Sequence, residues 1–324
     1  RHATAALERL GPDPGLDADL RVTRAAILTA QGHFEAALPE FRQGLAEREQ
    51  ALGADHPLVA SSYNNLGSAL VELGRYDEAL EALEHAKAVW ERGFGPRHPL
   101  VATAINGIGV VLEQSGRYEE ARQRLEQALV LREAVFGRDH VNVAITLDNL
   151  GAVLARLGAH DEARRASERA LELRAKHLGV RHPHYASSLV NLGWVAEKQG
   201  RFDEACELHR RAIEIWEETL GPDHPYLGHP LTSLGRAERL RGHPQVAVEV
   251  LGRALRIREA ANKPLELAET RLALAQALWP DDPTRARALA TKAAADVHAA
   301  IHGPDGLRTE IDRWLAEHPA PSTP

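Results

Sequence analysis

Between residues 56 and 95 the apolar positions keep helical time, stop at a glycine, and start again. Val59, Tyr63, Leu66 and Leu70 recur at spacings of three and four, which puts them on one face of a helix. Pro57 suits the first turn of that helix, where an N–H would have no partner in any case. Gly74 suits its end, because glycine takes the left-handed conformation that closes many helices. A second stripe runs through Tyr76, Ala79, Leu83, Ala86 and Trp90, and Gly93 and Gly95 end it. The pattern predicts helix, tight turn, helix, loop: one αα-hairpin.

The phrase then repeats. His56, His98, His140, His182 and His224 open it at a constant spacing of 42 residues. A fixed period of this length is the mark of a stacked repeat array, in which each unit buries its apolar face on the next. Gly67, Gly109, Gly151, Gly193 and Gly235 interrupt each first helix. Mid-helix glycine costs about 1 kcal/mol against alanine, so close approach of a neighbouring helix is its expected reason. Small residues at Ala79, Ala121, Ala163 and Ala205, and at Ala86, Ala128, Ala170 and Ala212, do the same on second helices. Tyr63, Ile105, Leu147, Leu189 and Leu231 fill the remaining space.

Gly67, Tyr76, Ala79 and Ala86 stand where the tetratricopeptide repeat (TPR) keeps its small and aromatic signature positions. The period and the Gly-x-x-His-Pro loop resemble the longer variant found in kinesin light chains and many bacterial proteins. The resemblance spans nearly the whole chain and implies an all-α fold, a right-handed superhelical solenoid of antiparallel helix pairs. Residues 1–10 read as the second helix of a truncated repeat, and the chain as a fragment of a longer protein. Residues 11–260 hold about six helix pairs, 261–303 a shorter divergent pair, and 304–318 a capping helix. Residues 319–324 read as a disordered tail. Ala277–Ala290 and Glu310–Ala316 resemble the C-terminal cap of TPR arrays in certain bacterial Ser/Thr protein kinases. No kinase motif lies in the chain itself.

Composition changes this picture little. A net charge of −7 argues against general nucleic-acid binding, and no apolar run is long enough to span a membrane. The lone Cys206 excludes an internal disulfide and is compatible with a reducing, cytoplasmic setting. Its position accepts arginine in other repeats, which places it near the surface.

The histidine series invites a metal reading. Successive loops, however, lie about 10 Å apart on helix spacing, too far for ligands about 2 Å from one ion. Each His-Pro is expected to shape its loop instead. Glu78, Glu120, Glu162 and Glu204 read as a solvated face with local ion pairs. Neither a catalytic set nor a cofactor or metal site is expected.

What remains is a surface. In TPR-like stacks the first helices line a concave groove. Helical phase then assigns it Asn64, Asn65, Asn106, Asn149, Arg156, Asn191, Trp194, Lys198, Arg236 and Arg239 as partner-binding residues. Ser233 and Asp148 share that phase. Asn65, Asn149 and Asn191 occupy one repeat position. Their amides suit either a bound peptide backbone or the neighbouring helix. The early groove is acidic or neutral, whereas Arg156, Lys198, Arg236 and Arg239 gather around Trp194 later, with Glu197 and Glu238 as counter-charges. Arginine forks favour carboxylates and tryptophan gives an apolar anchor. The expected function is a non-catalytic module binding a protein or peptide, an acidic one by the sharper reading. It would be the sensor or scaffold arm of a larger bacterial signalling protein such as a Ser/Thr kinase. A small-molecule-sensing array and a self-association element are the alternatives. A monomer without membrane or nucleic-acid contact is the expected state.

Overall fold

A computed structural model describes residues 14–30, 33–261, 264–299 and 305–319. The expectations for residues 1–10 and 320–324 lie outside these. Fifteen α-helices follow one another among the described residues, and no described helix is long and apolar enough to cross a membrane. The chain divides into two compact units, at Arg138 and Asp139.

The first unit holds three hairpins: α1 (Pro14–Ala30) with α2 (Phe34–Leu52), α3 (Pro57–Glu72) with α4 (Tyr76–Phe94), and α5 (Pro99–Gln114) with α6 (Tyr118–Phe136). The second holds α7 (Val141–Arg156) with α8 (His160–Leu178) and α9 (Pro183–Lys198) with α10 (Phe202–Leu220). A short 3₁₀ turn, Pro225–Leu227, then leads into α11 (Gly228–Leu240), which pairs with α12 (Pro244–Ala261). Last come α13 (Pro264–Leu278) with α14 (Pro283–Ala299), and the closing α15 (Asp305–Glu317). Within each unit every helix packs on its hairpin partner and on the next hairpin. First helices also touch first helices along the row, and second helices have no comparable contact. Each stack therefore curves toward its first-helix side, which forms the concave face.

The periodic residues have definite work. Each loop histidine is an N-cap: Nδ1 of His56, His98, His140, His182 and His224 accepts the backbone N–H two residues on, at 3.1 to 3.3 Å. That satisfies one of the four N–H groups a helix start leaves open. The glycines meet their own hairpin partner: a Cβ on Gly109 would lie 2.7 Å from Leu125 Cγ. A Cβ on Gly67 would lie 2.8 Å from Leu83 Cγ. At the loops, Gly95 has φ 87° and returns its N–H to Glu91 O at 2.9 Å.

A further column mixes two chemistries. Arg48, Trp90, Arg132, Arg174, Trp216 and Arg258 share one place near the end of the second helices, and all are buried. Trp90 and Trp216 donate Nε1–H to the carbonyls of Pro57 and Pro183, at 3.3 and 2.9 Å. Arg174 instead reaches Ser188 at 2.9 Å and Asp148 at 2.8 Å, pinning α8 to α9 and α7.

Candidate functional site

The predicted groove residues sort into two columns one residue apart. Asn65, Asn149 and Asn191 are half-buried, as is Asn64. The column just before the shared asparagine position is otherwise sealed: Asn106 is 8 % exposed, Asp148 3 %, Val190 4 % and Thr232 1 %. Asn106 is thus not a groove residue. One residue rotates a helical side chain by about 100°, enough to turn it from the open face into the packing. In the second unit this column points at the next first helix, since Ser188 donates to Asp148 at 3.1 Å and the Thr232 and Thr270 hydroxyls meet at 2.9 Å. Asn191 also donates to Asp148. Of the two roles open to the asparagine column, Asn191 fills the interhelical one. Burial, opposed by Arg174 and these two donors, leaves the Asp148 carboxyl raised to about 6. Ser233 is fully buried as well.

The basic cluster does come together in the second unit. Trp194, half-buried on α9, has the Arg156 guanidinium carbon 4.9 Å and the Lys198 amine 5.2 Å from its ring centroid. Cations at this range are drawn to the negative face of the ring. Loss of solvent and the Arg156 and Arg236 charges hold the Lys198 amine below its ordinary value. Arg239 is depressed in the same way by burial and by Arg236, against Glu310, and its Nε is buried without a hydrogen-bond partner. Neither Lys198 nor Arg239 has an ion-pair partner among the described residues.

Arg236 departs from expectation. Its Nη1 lies 2.7 Å from Glu269 on α13, and its Nε 4.0 Å from Glu197 on α9. Burial works against its charge, but the two carboxylates outweigh that and raise it. Glu269 in turn sits 3.2 Å from Arg258; burial pushes it up, yet Arg236 and Arg258 hold it down at about 2. Arg236 is therefore neutralised within the protein and is no open cation for an incoming carboxylate.

Two further predictions are corrected. Glu238 does not offset the groove: it is 1 % exposed and is held by Arg210, by Arg241 at 3.0 Å and by His243 at 2.8 Å. Cys206 is fully buried rather than near the surface, and burial with Glu238 beside it pushes the thiol up to about 11. A thiol so protonated is a poor nucleophile.

His209 was not foreseen. It is fully buried on α10, where Leu83, Leu125 and Leu251 stand in other hairpins, and a Cβ on Gly193 would lie 2.7 Å from its ring. Its Nε2 is 2.8 Å from Glu197 Oε1, while Nδ1 has no partner. Polar residues in an otherwise leucine column, Ser167 and then His209, were the signal available in the sequence. No group of three His, Cys, Asp or Glu able to hold a metal occurs among the described residues. What the arrangement offers is an apolar ring flanked by Arg156 and Lys198 on a concave face, with Lys198 and Arg239 without ion pairs among the described residues.

Comparison with known proteins accords with the repeat. A family model described as Tetratricopeptide repeat matches residues 16–86, 60–134, 101–176, 142–205 and 184–260. No curated protein matches the sequence. Among solved structures, a putative kinesin light chain of Podosopora anserina with nearly identical TPR-like repeats is 23% identical, with a TM-score of 0.53. That match covers 64% of this chain and 97% of the other. The apo quorum sensor NprR from B. thuringiensis is 18% identical at a TM-score of 0.66, covering 88% and 77%. A Rap protein complexed with competence and sporulation factor is 15% identical at 0.60, covering 94% and 98%. At these identities the likeness is one of fold.

Proposed function

This chain belongs to the tetratricopeptide repeat family, and we propose that it is a non-catalytic interaction module whose second unit binds an acidic segment of a protein partner. The observation that carries the reading is Trp194 flanked by Arg156 and Lys198, with Arg239 nearby in the same first-helix row. An acidic side chain next to an apolar one would meet cations and an indole together. Arg239 is half-buried, with its Nε buried and no ion pair among the described residues, and this favours an anion there, because a desolvated charge is costly until it is paired. Among structures of this fold, the Rap protein carries a bound factor and NprR is a quorum sensor, which is consistent with a binding role. In the fuller proposal the module is the sensor or scaffold arm of a larger cytoplasmic bacterial signalling protein such as a Ser/Thr kinase. That part rests on the likeness of residues 277–290 and 310–316 to the cap of such arrays.

The test uses fluorescence anisotropy with a labelled peptide of alternating Asp, Glu and Leu, beside a matched peptide with Asn and Gln in place of the acids. The native chain should bind the acidic peptide and release it as salt rises. Lys198→Glu with Arg239→Glu should weaken binding about tenfold or more while leaving the melting temperature nearly unchanged. Equal affinity for both peptides, or for native and doubly substituted chains, would overturn the reading.

A further inference from the structure

The first helices of the second unit are open along one narrow stripe each. Between Val143 and Arg156 on α7 every residue is buried except Ile145, Asn149, Ala152 and Arg156. Between Tyr185 and Ala196 on α9 the exceptions are Ser187, Asn191 and Trp194, with Lys198 next in line. On α11 they are His229, Arg236, Arg239 and Leu240. Residues three and four apart share one side of a helix, so these stripes make up the concave face. Since α9 touches both α7 and α11, the three stripes lie side by side.

Three large apolar side chains interrupt them. Ile145 and Leu240 are exposed, and Trp194 is half-buried. Ile145 shares its repeat position with Ser187 and His229, and Leu240 shares its own with Arg156 and Lys198. Both are therefore apolar where the neighbouring hairpins are polar. Scattered apolar residues on a surface need no explanation, but these three are in line. Trp194 lies seven residues beyond Ser187, the α9 equivalent of Ile145. Leu240 is the α11 equivalent of Lys198, four residues beyond Trp194. With first helices about 10 Å apart and a rise of about 1.5 Å per residue, the two oblique steps are about 14 Å and about 12 Å. An extended chain spans either step in about four residues at about 3.3 Å each, and residues four apart point to the same side of it. A helix would need about eight or nine. The Arg156 and Lys198 cations border the middle of this line, 4.9 and 5.2 Å from the Trp194 ring centroid.

Resting on the reading of the groove given above, we propose that Ile145 and Leu240 are the outer apolar anchors of an oblique track through Trp194. The partner segment that fits it is extended, with apolar side chains about four residues apart and acidic residues between them. Charge draws acidic segments into the groove, and the spacing of the anchors selects among them.

Three labelled acidic peptides of one composition test this by anisotropy with the full chain, their three leucines placed adjacent, four apart or eight apart. The four-apart peptide should bind about tenfold more tightly than the adjacent one, because it alone puts a leucine on every anchor in an extended conformation. Ile145→Ser and Leu240→Gln give these positions the polar character of their neighbours. Each should weaken the four-apart peptide about three- to tenfold and move the adjacent one little. Both side chains are exposed, so the melting temperature should stay at the native value. Equal affinity for all three peptides, or a preference for leucines eight apart, would overturn the extended track and leave the groove reading standing. Native-like binding of the four-apart peptide by both variants would overturn the two anchors in the same way. If the native chain binds none of the acidic peptides, the groove reading falls and the track falls with it.

Discussion

Gly109 on α5 and Gly193 on α9 are the same point of the repeat, and each would clash with its hairpin partner at 2.7 Å if it carried a Cβ. What they face differs. Gly109 meets Leu125, a hydrocarbon in an apolar interior, whereas Gly193 meets the ring of His209. The open sides differ in step: Val110 and Gln114 on α5 become Trp194 and Lys198 on α9. Between the inner and outer changes stands Glu197, hydrogen-bonded to His209 and 4.0 Å from Arg236. The backbone frame is constant, and the second unit threads a polar connection through it from the interior to the groove. Repeat architecture permits this, because each hairpin needs only to fit its neighbours.

The largest expected effect comes from breaking the frame itself. Gly109→Val should destabilise the chain by about 3 kcal/mol, since Leu125 and the packed hairpin around it have little room to move. Gly93→Ala should be neutral or stabilising by up to about 1 kcal/mol, as nothing lies within 4 Å of that position. Urea unfolding of the two variants checks both. If Gly109→Val unfolds with the native midpoint, the close approach is not what holds this glycine in place.

A smaller effect tests the polar connection. His209→Leu restores the apolar column but leaves Glu197 without its donor; Glu197→Ala leaves both imidazole nitrogens unpartnered in the interior. Each should cost about 1–2 kcal/mol. Together they should cost clearly less than their sum, because the double variant leaves neither side chain behind without its partner. Strict additivity in the unfolding free energies would mean that the two side chains are not coupled.

These contrasts also show what the sequence made legible. The histidines, the glycines and the apolar stripes recur because each hairpin repeats the same contacts, so period alone exposes hairpins, caps and close approaches. Groove chemistry obeys no period. Asn106 and Asp148 share the phase of the open face to within one residue, and one residue is the difference between groove and seam. Arg236 looked available because its main partner, Glu269, belongs to the divergent hairpin, where the 42-residue register no longer applies. Of the cluster, Trp194, Arg156 and Lys198 were legible because they lie on adjacent first helices within the regular array.

A last test lies in a narrow acid window and tells two carboxylates apart. Glu269 titrates at about 2 in the folded chain against an ordinary 4.5. Its folded value is the lower one, so its contribution to stability is complete above about 4.5 and is lost as pH falls toward 2. Through that window the unfolded chain binds more protons, and stability climbs with pH. Asp148 runs the other way: raised from 3.8 to about 6, it holds a proton in the folded chain that the unfolded chain has released. Its contribution therefore declines as pH rises from about 4 to 6. Glu269→Gln should flatten the stability profile between pH 2 and 4.5 by up to about one proton and leave the slope near pH 5 alone. Unfolding free energies measured at half-unit pH steps give the comparison. A native-like slope below pH 4.5 in the variant would show that Arg236 and Arg258 do not hold this carboxylate ionised, and Arg236 would then be open to an incoming acid after all.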